Sequence, residues 1–123
     1  MSTPSTVTLQ TSDHGPVTIP EPAWCTGHTD HQPDTYRVEI GHKGPEHLLR
    51  HHGEVLFTAF LAQAPFAPPG EPSTIGLYIE QGDYAHTLTP LSVYDLAATF
   101  EAHADQLRDL ADQLAALHAG DGQ

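Results

Sequence analysis

One thiol and an excess of imidazoles are the groups in this sequence that could do chemistry. Cys25 and His28 have two residues between them, an interval that lets side chains on a tight turn converge on one cation, and His31 repeats it. Thiolate and imidazole are ligands that zinc prefers, and Gly27 lets the loop between them curl without strain. A tetrahedral site needs more ligands. His42 follows His28 after a loop of ordinary length for a small zinc site, and Glu21 offers a carboxylate just upstream. His14, His47, His51 and His52 are further candidates. A single Cys-x-x-His pair is weak by itself, but seven of the ten histidines fall between residues 14 and 52, and that density points to a metal. The plain alternative is a half-buried Cys25 packed beside Trp24, with the histidines serving as polar loop residues.

The elements that must position these groups are short. Val7, Thr8 and Leu9 suggest a strand or ordered arm, and residues 1–12 are read as a flexible N-terminal arm. Val17 to Ile19 is extended, and prolines at 16, 20, 22 and 33 bracket an irregular segment that carries the Cys/His loop. Tyr36, Val38 and Ile40 alternate with Arg37 and Glu39, which predicts a strand. Leu48 and Leu49 predict another, followed by a turn at His52 and Gly53. In residues 54–64 the pairs Leu56/Phe60 and Phe57/Leu61, with three alanines, favour a helix over a buried strand. Residues 65–72 are a proline-rich loop, and 75–81 and 84–89 read as a hairpin about Gly82 and Asp83. Ser92 is the expected cap of a helix over 93–118, with Asp95 near its positive end and Gly120 as its stop. The fold class is α+β: a small antiparallel sheet, a Cys/His loop near the N-terminus and one long C-terminal helix. A single domain is expected over 13–118, with a disordered tail at 119–123.

The helix carries Leu96, Phe100, His103, Leu107, Leu110, Leu114 and Leu117 in unbroken 4, 3 spacing. At ~1.5 Å per residue such a helix spans about 39 Å, whereas four or five strands at ~4.8 Å make a sheet only about 20 Å wide. Leu107, Leu110, Leu114 and Leu117 are therefore expected to overhang and to form a homodimer interface. Glu101, Asp105, Asp109 and Asp112 flank this stripe and disfavour a close parallel pair.

Composition excludes several classes. Four Lys and Arg against sixteen Asp and Glu leave a net charge of −12, too few cations to neutralise nucleic-acid phosphates. No apolar run approaches the ~20 residues needed to span a bilayer, and the first ten residues lack a signal-peptide pattern. One cysteine cannot form an internal disulfide, so a cytoplasmic location is expected.

Asp13, His14, Gly15, the run Glu21 to Cys25, Gly27 with His28, His42 with Gly44 to His47, and Leu88 to Pro90 ahead of the Leu96 helix resemble a family of small actinobacterial proteins of unknown function. The resemblance covers roughly residues 7 to 117. Many such proteins carry Cys-Pro-x-Trp-Cys followed by histidines, which looks like a zinc knuckle on a small sheet. Glu21 stands where their first cysteine would be, and a carboxylate can replace a thiolate on zinc. The resemblance implies no activity, substrate or partner.

Two functional readings follow. The first is a non-catalytic acidic binding or adaptor protein, stabilised by zinc at Cys25 and His28, self-associating through its helix and offering a surface to a protein partner. The alternative is a metal-dependent hydrolase: Cys25, His28 and His42 hold zinc, a water completes the site, and Glu21, Asp30 or Glu46 acts as base. No His-Glu-x-x-His, phosphate-binding loop or dinucleotide fingerprint is present, so no catalytic residue is assigned.

Overall fold

The computed structural model describes residues 5–121 and shows an α+β fold of small antiparallel sheets with one long C-terminal helix. Six strands precede the helix: β1 (Thr6–Thr11), β2 (Gly15–Pro20), β3 (His42–Lys43), β4 (His47–His51), β5 (Glu54–Gln63) and β6 (Gly76–Gln81). The helix α1 covers Pro90–Asp121. The described residues form two compact units. One unit holds the chain through Pro45 with Leu61–Gly76; the other holds Glu46–Phe60 with the chain from Leu77 onward. At ten residues β5 is long enough to supply strand to both, changing unit between Phe60 and Leu61.

The first unit begins with the β1–β2 hairpin, in register from Thr6 with Pro20 to Thr11 with Gly15. The expected flexible arm is thus a strand over Thr6–Thr11, because alternation places Leu9 and Thr11 inside and leaves Thr8 and Gln10 outside. Residues 1–4 lie outside the described residues. Leu9, Ile19 and Ile40 form the buried cluster, with Val7, Val17 and Phe66 packed against it. The strand predicted at Tyr36 to Ile40 is instead a 3₁₀ turn, Arg37–Glu39. Two carboxylates explain it: Asp13 Oδ1 accepts the Arg37 N–H and Glu39 Oε1 the Tyr36 N–H, each at 2.9 Å, so side chains satisfy donors that a strand would give to a neighbour. The Arg37 N–H holds the Asp13 carboxyl below its ordinary range, against a smaller opposing effect of lost hydration. Of the alternating apolar residues only Ile40 is buried, while Tyr36 and Val38 are exposed.

In the second unit β4 and β5 pair antiparallel through a two-residue turn, His52 and Gly53, whose φ values of 53° and 77° fit a type I′ turn. The helix favoured over 54–64 is therefore the strand β5. Leu49 pairs with Phe57 and Arg50 with Val55, so Leu56 is an extra, bulged residue. That bulge shifts the alternation by one position, burying Leu56, Ala59 and Leu61 and imitating helical spacing. β6 pairs with β5, but residues 84–89 form no strand, so the expected hairpin has only its first arm. Tyr84 and His86 turn their side chains to His51 and Glu54 instead.

The helix starts three residues earlier than predicted. Thr89 rather than Ser92 is the cap, its Oγ1 accepting the Ser92 N–H at 3.3 Å and its carbonyl accepting from Val93 at 3.0 Å, with Pro90 at the first helical position. At the other end α1 runs through Gly120 to Asp121, into the expected tail; residues 122–123 lie outside the described residues. Leu110 is only 5% exposed in the single chain, and Leu107, Leu114 and Leu117 are half-buried. His103, in the same seam, is buried with its Nδ1 unpartnered among the described residues. No helix among the described residues is long and apolar enough to cross a membrane.

Candidate metal centre

Glu21, Cys25, His28 and His42 converge in the first unit, each offering one ligand atom, and all four atoms lie within 4.8 Å of one another. Short elements bring them there. Glu21 follows β2 directly, and its N–H donates to the Ser5 carbonyl at 2.8 Å, extending the hairpin ladder by a residue. The loop then folds on itself, with Cys25 N–H donating to Pro22 O at 3.1 Å and Gly27 N–H reaching the Cys25 sulfur at 3.5 Å. Gly27 has φ of 104°, a conformation closed to most side chains, which is what lets Cys25 and His28 face the same point. Thr26 ties the loop to β3 by donating its N–H to Lys43 O at 2.9 Å. His42, on β3, is thereby set under the loop, with the half-buried Trp24 ring edge-on to it at 6.1 Å.

The polar geometry is compatible with a ligand set. His28 Nε2 lies 3.1 Å from Glu21 Oε1 and 3.7 Å from Cys25 Sγ, and His42 Nδ1 lies 2.9 Å from the same Glu21 oxygen. Metal bonds of ~2.0–2.3 Å at tetrahedral angles separate neighbouring ligands by about 3.3–3.6 Å. The observed separations bracket that range. His42 supplies a second sign: its Nδ1 is close to Glu21 yet off the hydrogen-bonding line, and it has no hydrogen-bond partner among the described residues. A buried nitrogen in that position carries a lone pair or proton aimed into the space the four groups share. Burial holds His42 below the ordinary imidazole value; Glu21 opposes this and His28 adds to it. It is therefore poised as the neutral donor that a metal requires.

Of the residues singled out from the sequence, Cys25, His28, His42 and Glu21 come together and His31 does not. Its Nε2 bonds to Gln10 O at 2.7 Å, because the turn His31 N–H to His28 O carries its ring away toward β1. His14 pairs with Asp13 at 3.0 Å. His47 Nδ1 accepts from Gln106 at 2.9 Å, so that ring nitrogen is also occupied. Asp95, read from the sequence only as a partner for the helix dipole, reaches His51, a contact that no spacing in the sequence announces.

The sequence matches a family described as a domain of unknown function (DUF6907) over residues 6–116. The chain belongs to the DUF6907 family. No curated protein and no solved structure matches it. The matched span includes all four members of the cluster, so this DUF6907 domain contains a Glu/Cys/His/His group that could hold a metal ion.

Proposed function

We propose that this chain is a non-catalytic binding protein whose first unit is held by a structural zinc ion at Glu21, Cys25, His28 and His42. The observation that carries the reading is the convergence of four ligand atoms within 4.8 Å of one another, with separations that bracket tetrahedral spacing, together with the orphaned Nδ1 of buried His42. One sulfur, two nitrogens and one oxygen suit zinc, and four protein ligands leave no position for a reacting water. The hydrolase alternative needs an open position and a free base. Glu21, the nearest carboxylate, stands among the ligands instead. A reducing, cytoplasmic setting would keep the single Cys25 thiol available. Protein purified without added metal is expected to retain zinc through dialysis, and Cys25→Ser to lose that equivalent. Cobalt substitution should give a thiolate-to-metal charge-transfer band that vanishes in Cys25→Ser. An unaltered chain with no such band would overturn the reading.

Self-association through α1 is the second part of the proposal. The helix has 32 residues and spans about 48 Å, whereas β4, the strand it packs on, has five residues and spans about 17 Å. Leu110 is covered within its own chain, which removes it from the expected interface, but Leu107, Leu114 and Leu117 keep exposed area. Leu91 and Tyr94 at the helix start are 80% and 77% exposed. Light scattering at high micromolar concentration should show a dimer that tightens with salt, since screening weakens repulsion between acidic flanks. Leu114→Glu with Leu117→Glu should give a folded monomer. A monomeric unaltered chain at about 0.5 M salt, where the screening length is ~4 Å, would show that the stripe is satisfied within one chain.

A further inference from the structure

A second histidine cluster lies in the other unit. His51 ends β4, His52 opens the hairpin turn and Asp95 projects from α1, and their ligand atoms lie within 4.8 Å of one another. The His51 side chain is 2% exposed. Its Nδ1 is bonded to the Tyr84 hydroxyl at 2.5 Å, while its Nε2 lies 3.2 Å from Asp95 Oδ2 but off the hydrogen-bonding line. That nitrogen is buried and has no hydrogen-bond partner among the described residues. It carries either an N–H without an acceptor on its axis or a lone pair facing a carboxylate. A cation between the two groups resolves the second case, and a Tyr84 oxygen accepting from Nδ1–H favours the tautomer that leaves Nε2 free to bind it.

The backbone supports the same conclusion. Successive side chains on a strand point to opposite faces, so His51 and His52 would ordinarily diverge. His52 is instead the one non-glycine residue with positive φ among the described residues, and this turn sets the two rings 4.1 Å apart at 81°. Asparagine is the residue that most readily takes that turn position, so the turn itself does not call for histidine.

We propose that His51, His52 and Asp95 bind one divalent transition-metal ion, separate from the centre at Cys25. Two imidazoles and one carboxylate suit zinc, nickel, cobalt or ferrous iron, and three protein ligands leave positions open to water or a small anion. His52 and Asp95 are exposed, so the ion can exchange with solvent, whereas buried His51 and half-buried Tyr84 hold the inner side.

Titration of the metal-stripped full chain with cobalt(II) tests the proposal. Two equivalents are expected, one with thiolate charge transfer from Cys25 and one with nitrogen and oxygen ligands only. Asp95→Asn, on an exposed helix position, and His52→Asn, which keeps the turn, should each weaken the second equivalent at least about tenfold and leave the charge-transfer band intact. Tyr84→Phe should weaken it by a smaller factor. Failure of the Cys25 reading removes that band without touching the second equivalent, so the two outcomes are distinct. The proposal is overturned if a folded Asp95→Asn chain binds cobalt with the stoichiometry and affinity of the unaltered one, or if the second equivalent binds only at millimolar concentration.

Discussion

Stripping the metal from the Cys25 centre is expected to lower the melting temperature by on the order of 15 °C, with Cys25→Ser reproducing the stripped state. A ligand that binds only the folded chain stabilises it by ~4 kcal/mol when its free concentration is 1,000 times its dissociation constant, and a domain of this size shifts by several degrees per kcal/mol. Without the ion, Glu21, Cys25, His28 and His42 would keep their ligand atoms within 4.8 Å of one another with His42 Nδ1 unpartnered, so the loop loses the contact that holds it closed. The same centre sets a pH dependence. Because the folded chain holds His42 below the ordinary imidazole value, the unfolded chain binds more protons, so stability rises with pH and is lost as pH falls below ~6.5. A metal effect on melting absent at pH 7.5, or a metal-loaded chain equally stable at pH 5 and pH 7.5, would count against the site.

The second large effect is expected at Gly82. Its N–H donates to Leu56 O at 2.7 Å, fastening the end of β6 to the bulged residue of β5. A side chain there has no room: a Cβ would stand 2.1 Å from the Val55 carbonyl oxygen, and backbone cannot swing aside as a flexible side chain would. Gly82→Ala must therefore part the two strands or break the hydrogen bond, at a cost of about 3 kcal/mol. Thermal unfolding should show a fall on the order of 10–15 °C. Gly120→Ala is the control of opposite sign. It lies in the last turn of α1 with nothing within 4 Å of a Cβ, and alanine is the better helix former by up to about 1 kcal/mol. Equal effects at the two positions would show that Gly82 is tolerant and the close approach unimportant.

Local rules carried part of the fold into view. The α1 pattern was legible because its apolar stripe, its lack of internal proline and its high helix propensity agree along more than twenty residues. The turn at His52 and Gly53 was legible because glycine beside a residue tolerant of positive φ is a local preference. Local rules failed where one distant contact outweighed them. Asp13 converts the alternating run at Tyr36 into a 3₁₀ turn, and a bulge at Leu56 gives a strand helical spacing.

From its sequence alone the chain brings Cys25 and His28 together, because two side chains three residues apart on a glycine-bearing loop meet without help from distant segments. The fold chooses which groups join them. Glu21 and His42 join because the β1–β2 ladder and the Thr26 bond to β3 place them there, and His31 leaves because Gln10 O captures its ring. His51 and Asp95, 44 positions apart, meet only in the fold. Spacing along the chain fixes partners only over a turn or two; beyond that, strand register and helix placement choose them, and those depend on what the whole core buries.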